Sequence, residues 1–262
     1  MILAINQNNQ NQINNVNFTA KPLAKYGYLG KKTKEVIIYQ LEQKDISYIE
    51  HIIKNLDKFY KKYHIDGESA RQVLEEALGA SIAILRDTKQ LESKSRILMS
   101  FHNNKPSSIL IGNVVKVDKK GGLHYSSRNK HGVGETELDW LVTFNQSIPK
   151  EGQATVNEYF HTLLEDGFND CFVRSELQTK SSAIKFYIRM GFKKLSKWAR
   201  TILRKRDYPY AIGKYDNKGD KIIPMLVTNT DIINTTAEKD ITLMRKKIKS
   251  SRSCALPKEI FD

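Results

Sequence analysis

Hydrophobic and polar positions follow two rhythms along this chain, and the switches between them mark out its elements. The β-branched run EVIIYQLEQ (35–43) has the make-up of a strand. DISYIEHIIKNLDKFYKKY comes next, with Ile49, Ile52, Ile53, Leu56, Phe59 and Tyr63 at helical spacing and Asp45 placed to cap. In GESARQVLEEALGASIAILRDT the same period returns through Ala70, Val73, Leu74, Ala77, Leu78, Ser81 and Ile84. Two helices therefore separate the first strand from the next. SRILMSFHNN and SSILIGNVVKVD read as strands joined by a turn around Asn104, Lys105 and Pro106. After the polar, Gly-rich KKGGLHYSSRNKHGVGE, the segment TELDWLVTF (136–144) alternates, which predicts Leu138, Trp140, Val142 and Phe144 on one face. Glu135, Glu137 and Asp139 then share the opposite face. Together these strands predict an antiparallel meander.

The second half changes pattern. Pro149 and Gly152 mark a tight loop, and a helix over 153–166 follows, with Val156, Tyr159, Phe160, Leu163 and Leu164 facing inward. CFVRSEL (171–177) is a strand again. TKSSAIKFYIRMGFKKL (179–195) reads as an amphipathic helix stopped by a glycine, with a strand behind it. YPYAIGKYDNKGDKIIPMLVT suggests a strand pair turning at Asn217–Gly219. The flanks lack a core pattern. Residues 1–34, Asn/Gln-rich at the start, are expected to form a disordered leader, and 236–262 a short basic helix and tail around a domain spanning 35–235. No internal repeat is visible.

Composition narrows the class. A chain of 262 residues buries one substantial core. No stretch approaches the roughly 18 apolar residues of a membrane span, and MILAI is too short for a signal-peptide core, so a cytosolic protein with no membrane partner is expected. Cys171 and Cys254 stand far apart and outside metal-ligand spacing, which points to neither a disulfide framework nor a metal site. The net charge of +14 favours an acidic partner, and ten Lys or Arg with no Asp or Glu lie between Lys180 and Arg206. A second cluster is RKKIKSSR (245–252).

A loop that runs into a helix N-terminus offers unpaired N–H groups and the positive end of the helix dipole, and small residues let a phosphate approach. Gly152 and Ala154, flanking Gln153, stand at such a place. The order strand, Gly-x-Ala loop, helix, strand, then a helix carrying Ala183, Tyr187, Gly191 and Phe192, resembles the GNAT superfamily of acyl-CoA-dependent N-acetyltransferases. That family's last signature runs Asn-x-x-Ala-x-x-x-Tyr-x-x-x-Gly-Phe; here Lys180 stands in place of the Asn. Its pyrophosphate loop runs Arg/Gln-x-x-Gly-x-Gly/Ala; here Pro149 stands in place of the Arg or Gln. The resemblance covers about 35–200 and is strongest between 136 and 195.

The resemblance implies an α+β (α/β) fold: a mixed, mostly antiparallel central sheet flanked by helices, splayed between its fourth and fifth strands, 136–144 and 171–177. It implies acetyl-CoA as cosubstrate, no metal, and transfer of the acetyl group to an amine by direct attack. The pantetheine arm would pair with the opened strand around Val142 and Phe144. Backbone N–H groups of Lys150, Gly152, Gln153 and Ala154 would hold the pyrophosphate, with Lys150, Lys180 and Lys185 adding charge and Ala183 keeping the last helix close. Tyr187, a phenol of pKa about 10, is the candidate proton donor to the leaving thiolate. The resemblance puts the base at a strand carboxylate near Glu137, and His124, His131 and His161 are further candidates. The acceptor is an amine of unknown identity, with the positive charge leaning towards an acidic or nucleic-acid-bearing one. A different reading stays open: a degenerate acetyltransferase-like domain that binds RNA or another polyanion through the 180–206 face, where Tyr187, Phe192 and Trp198 interleave with the basic residues.

Overall fold

The computed structural model describes residues 19–28, 31–87, 95–117, 123–125, 135–144, 150–167, 170–177, 182–194, 221–249 and 254–256. Its strands are β1 (Thr19–Tyr28), β2 (Lys31–Gln40), β3 (Arg96–His102), β4 (Lys105–Val117), β5 (Leu123–Tyr125), β6 (Glu135–Thr143), β7 (Asp170–Leu177), β8 (Lys193–Lys194), β9 (Lys221–Thr228), β10 (Arg245–Lys247) and β11 (Cys254–Ala255). Its helices are α1 (Ile46–Lys54), α2 (Leu56–Tyr63), α3 (Glu68–Arg86), α4 (Glu151–Glu165), α5 (Ser182–Arg189) and α6 (Asn229–Leu243). One sheet runs through all of this, in the order β10-β1-β2-β3-β4-β6-β7-β9-β8, with β5 on β4 and β11 on β1. Every pairing is antiparallel except β6 with β7.

Helices cover both faces. On one, α1–α3 pack Tyr48, Ile49, Phe59, Leu74 and Leu78 onto Ile97, Met99, Ile109 and Ile111. On the other, α4 and α6 pack Val156, Phe160 and Ile232 onto Ala24, Leu98, Leu110 and Val227. Each of these fully buried large side chains stabilises the fold by about 1.5–3 kcal/mol. The β3–β4 hairpin turns through Asn103 (φ 48°) and Asn104 (φ 62°), a two-residue turn whose positive φ values match the strands' twist. The helix expected as one piece is two, divided at Asn55, whose side-chain N–H₂ donates to the His51 carbonyl at 2.9 Å. Asp45 makes no side-chain cap of α1; its carboxylate instead accepts from the Glu42 N–H at 2.8 Å in the 3₁₀ turn before the helix.

Both expected flanks are corrected. Residues 19–28 of the supposed leader are β1, paired with β2, β10 and β11, and β2 begins at Lys31; residues 1–18 lie outside the described residues. Ala20, Pro22, Ala24, Tyr26 and Tyr28 are buried in alternation with more exposed neighbours, the period of a half-buried strand. The C-terminal boundary at 235 falls inside α6, and β10 and β11 both extend the sheet at β1. The basic cluster at 245 is therefore an edge strand, a place where lysines discourage further strand addition.

Candidate functional site

The parallel pair β6–β7 is held by three register pairs only: Glu135 with Asp170, Thr136 with Cys171 and Glu137 with Phe172. Beyond Glu137, β6 continues to Thr143 on β4 and β7 continues to Leu177 on β9. Their facing edges have no strand partner there among the described residues. The sheet thus opens into a fork with Glu137 at its closed end, the splay expected between 136–144 and 171–177. Unpaired main-chain groups line such edges and can accept an extended ligand as if it were a strand.

The closed end is pinned from α4. Tyr159 donates its hydroxyl to the Glu137 carbonyl at 3.3 Å. Its ring lies directly over Gly112, where an added Cβ would stand 2.2 Å from the ring carbons. A side chain at 112 would lift Tyr159 off the fork. Next to this point β6 has a bulge: Ile111 pairs with Trp140 but Gly112 pairs with Leu138, so Asp139 is the extra residue. The bulge overturns the expected shared face. Leu138 packs in the α4–α6 core, whereas Trp140, Val142 and Phe144 pack in the α1–α3 core. The apolar run Trp140-Leu141-Val142 is the trace of this shift in the sequence, since Leu141 packs in the α4–α6 core with Leu138.

At the open end, α4 starts beside the tip of β6. A Cβ on Gly152 would meet Thr143 Cγ2 at 3.3 Å and the Phe186 ring at 3.5 Å, so β6, α4 and α5 converge on this glycine. Lys150 is the N-cap residue, in the left-handed region (φ 64°) and exposed. The first helical bond runs from Ala154 N–H to the Lys150 carbonyl at 3.0 Å. That commits the Ala154 N–H, and leaves Glu151, Gly152 and Gln153 as the residues whose N–H groups precede the helical ladder. Ala154 is fully buried in the core, so its smallness serves packing. Phe144 is committed too: its N–H donates to the Ser107 carbonyl at 2.7 Å and its ring packs edge-on against Phe59. Both depart from the contacts expected of them. Val142, half-buried on the α1–α3 side, remains on the open edge.

Helix α5 ends as its sequence predicts. Phe192 N–H donates to the Tyr187 carbonyl and Gly191 N–H to that of Ile188, both at 3.0 Å, with Gly191 at φ +87°. This is the Schellman stop that favours glycine. Tyr187 is half-buried, its ring edge-on to Phe186 at 5.3 Å and to Phe192 at 5.5 Å. Ala183, one turn earlier, is exposed, as is Lys185.

A group the sequence did not single out is Glu151, the first residue of α4 and 2% exposed. Its Oε1 accepts from the Ser100 hydroxyl at 2.7 Å, while Oε2 has no hydrogen-bond partner among the described residues. Ser100 bonds Ser108 at 2.7 Å, and Ser108 bonds Thr155 at 2.7 Å, tying α4 to the β3–β4 hairpin. Burial pushes the Glu151 carboxyl up to about 7, against hydrogen bonds from Ser107 and Ser100 that pull it down. The buried hydroxyls of Tyr28 and Tyr63 are likewise shifted upward, first by burial and then by the nearby Glu151 charge. The only signal in the sequence is an acidic residue at the first turn of a helix.

Of the remaining candidates, Glu137 is 5% exposed at the fork, and Asp139 is exposed beside it. His161 is removed from the fork's candidate bases by its partner, with Nε2 2.9 Å from Asp240 Oδ2. The side chains of Glu135 and His124 lie outside what is described, as do Pro149, His131, Lys180, Trp198 and the basic run apart from 182–194. Among the described residues no group of three or more His, Cys, Asp or Glu is placed to hold a metal ion, and no helix is long and apolar enough to cross a membrane.

No family model matches the chain, and no curated protein matches it. Solved structures do. An uncharacterized protein from Bacillus halodurans is 10% identical, covering 85% of this chain and 97% of that one, with a TM-score of 0.47. An aminoglycoside N(6′)-acetyltransferase from Legionella pneumophila is 14% identical over 76% of this chain and 95% of its own, TM-score 0.46. A GNAT-family protein from Desulfovibrio desulfuricans is 12% identical over 74% and 99%, TM-score 0.44.

Proposed function

We propose that this chain is an acyl-CoA N-acyltransferase of the GNAT type, moving an acetyl group from acetyl-CoA to an amine in the cytosol. The observation that carries the reading is the fork. A parallel strand pair is held by three register pairs and then opens, with a helix N-terminus at its mouth. The residues fit the cofactor. The facing edges of β6 and β7 suit an extended amide-bearing arm. The N–H groups of Glu151, Gly152 and Gln153, with the dipole of α4, suit a pyrophosphate. Gly152 lets Thr143 of β6 and Phe186 of α5 close on the start of the helix, and Lys150 sits exposed at the same turn.

When bound, acetyl-CoA supplies the acyl group as a thioester. Glu137 accepts the proton that the attacking amine must lose, directly or through one water. The nitrogen–carbon bond forms as the carbon–sulfur bond breaks. Main-chain N–H groups on the β6 edge stabilise the negative charge on the carbonyl oxygen. Tyr187 delivers its phenolic proton to the departing sulfur. Ala183, on the same helix face one turn away, keeps that approach uncrowded.

Two measurements test this. Acetyl-CoA in large excess over its Kd should raise the melting temperature, and thiol release should appear with an amine acceptor. Tyr187→Phe should lower kcat by about 10²–10⁴-fold, the range for loss of a general acid, with the acetyl-CoA thermal shift retained. An unchanged kcat would remove Tyr187 from the chemistry. No thermal shift would sink the enzyme reading altogether.

A further inference from the structure

The N-terminus of α4 is one positive pole with two claimants. One is the pyrophosphate that the N–H groups of Glu151, Gly152 and Gln153 suit. The other belongs to the chain itself. Glu151 is the first residue of the helix and is 2% exposed, so water does little to solvate its charge. Its Oε2 has no hydrogen-bond partner, and no Lys, Arg or His pairs with the carboxyl, among the described residues. The titratable groups that bear on it are phenols, Tyr28 from β1 and Tyr63 from α2. Burial pushes both hydroxyls upward, so they stay neutral through the range in which a carboxyl titrates. Lys150, one residue earlier, is exposed. Among these described groups Glu151 is the one that changes charge near neutral pH.

The hydroxyls around Glu151 accommodate both of its states. Contacts run from Glu151 Oε1 to Ser100, from Ser100 to Ser108 and from Ser108 to Thr155, each at 2.7 Å, and from Thr155 to the Glu151 carbonyl at 3.2 Å. Each hydroxyl donates one proton, and the carbonyl only accepts. With Thr155 donating to the carbonyl, Ser108 donates to Thr155 and Ser100 to Ser108. The contact at Oε1 then lacks a proton unless the carboxyl supplies it. Ser107 adds one hydroxyl and one contact, to Ser100 at 3.2 Å, which leaves the balance unchanged. Neutral Glu151 thus closes the chain with every contact made. When Glu151 ionises, Ser100 donates to Oε1 instead, and the contact at the Glu151 carbonyl is given up. The two states differ by rotation of hydroxyl protons.

Resting on the transferase reading above, we propose that Glu151 couples acetyl-CoA binding to the uptake of a proton. The ionised carboxylate competes with the pyrophosphate for the N-terminal pole of α4, and the neutral acid leaves that pole free. The coupling is reciprocal: a bound pyrophosphate holds the proton on Glu151, and a protonated Glu151 favours the pyrophosphate. The Glu151 carboxyl is therefore less acidic in the complex than in the free protein. Affinity for acetyl-CoA is full at low pH and is lost as pH rises through about 7.

Calorimetric titration of the full chain with acetyl-CoA, in buffers of different ionisation enthalpy, reads the proton directly. Near pH 7.5 about half a proton should be taken up per site, as follows when binding raises a carboxyl of pKa about 7 by about one unit. Over the same shift Kd should rise about 8-fold between pH 6 and pH 9. Acetyl-3′-dephospho-CoA should behave alike, and it lacks the monoester phosphate that itself changes charge near pH 6. Glu151→Gln carries no charge at any pH, so it should take up no proton with the dephospho ligand and hold one Kd across the range. Ser100→Ala removes the hydroxyl that favours the ionised form, so its rise in Kd should begin at higher pH. Equal proton uptake by the wild type and Glu151→Gln, or a wild-type Kd that is flat in pH, overturns the coupling and leaves cofactor binding standing. So does a proton uptake that disappears with the 3′-phosphate. No heat and no thermal shift with acetyl-CoA at any pH sinks the transferase reading, and the coupling with it.

Discussion

Glu151 and Glu158 lie two turns apart on one face of α4, both buried, in opposite circumstances. Glu158 is satisfied at both oxygens. Arg245 grips it with Nε at 2.8 Å and a terminal nitrogen at 3.1 Å, and the Tyr26 hydroxyl donates to it at 2.7 Å. Asn157 bridges from Tyr26 to Asp240 at 3.2 and 2.8 Å, which joins β1, α4, α6 and β10 in one polar cluster. Glu151 has a hydroxyl donor on one oxygen and, among the described residues, none on the other. The first carboxylate is a structural staple between α4, β1 and β10. The second sits where α4 meets β6, and burial keeps it poised near neutrality. One helix thus anchors the fold at its middle and buries a half-satisfied carboxyl at its N-terminus.

The contrast can be broken most severely at Arg245. Removing it leaves Glu158 buried without a counter-charge, so Arg245→Met should destabilise by about 3–5 kcal/mol, measured by urea denaturation. A loss under about 1 kcal/mol would put Glu158 among ordinary surface pairs. Next comes Glu151→Gln. The folded-state pKa of Glu151 is raised from 4.5 to about 7, so its protonated form is the one the fold favours. Its contribution is fully present below the unfolded pKa and is lost as pH rises through about 7. The substitution should therefore gain on the order of 3 kcal/mol at pH 8 and almost nothing at pH 4. Denaturation curves at the two pH values check it, and an equal effect at both would refute the assignment. Smallest is Tyr26→Phe, which removes a hydrogen bond to a paired carboxylate and the acceptor of the longer Asn157 bond. It should cost about 1.5 kcal/mol and leave the Arg245 grip intact, as urea midpoints of the two single variants and the double variant would show.

Much of the fork could be read from the sequence, because its elements have strong periods. The inward face of α4, the strand at 171–177 and the glycine stop at 191 all follow from spacing and turn chemistry. What escaped shares a physical cause. Strand β1 carries Ala, Lys, Pro and Gly at six of its ten positions, and their low β-propensity hides a regular burial alternation. Helix α6 buries Thr235, Thr236 and Lys239 among its core positions, so its inward face is not an apolar stripe. The bulge at Asp139 exchanges faces, and its one trace in the sequence is the apolar run Trp140-Leu141-Val142. Gly112 looks like any glycine in a strand until Tyr159 is laid over it. Each of these is settled by a partner distant in sequence.

Strand β1 has a consequence for how the molecule comes into being. Its outer edge is closed by Arg245–Lys247 and by Cys254–Ala255, so Thr19 ends up beside Ala255. A chain emerging from the ribosome can assemble the hairpins and the fork while that edge stays open, and can close it only after the last of these residues has been made. Until then the nascent protein exposes an unpaired strand, the kind of edge that recruits other chains. Completion of the sheet is thus timed by translation, and the segment synthesised late protects the segment synthesised early.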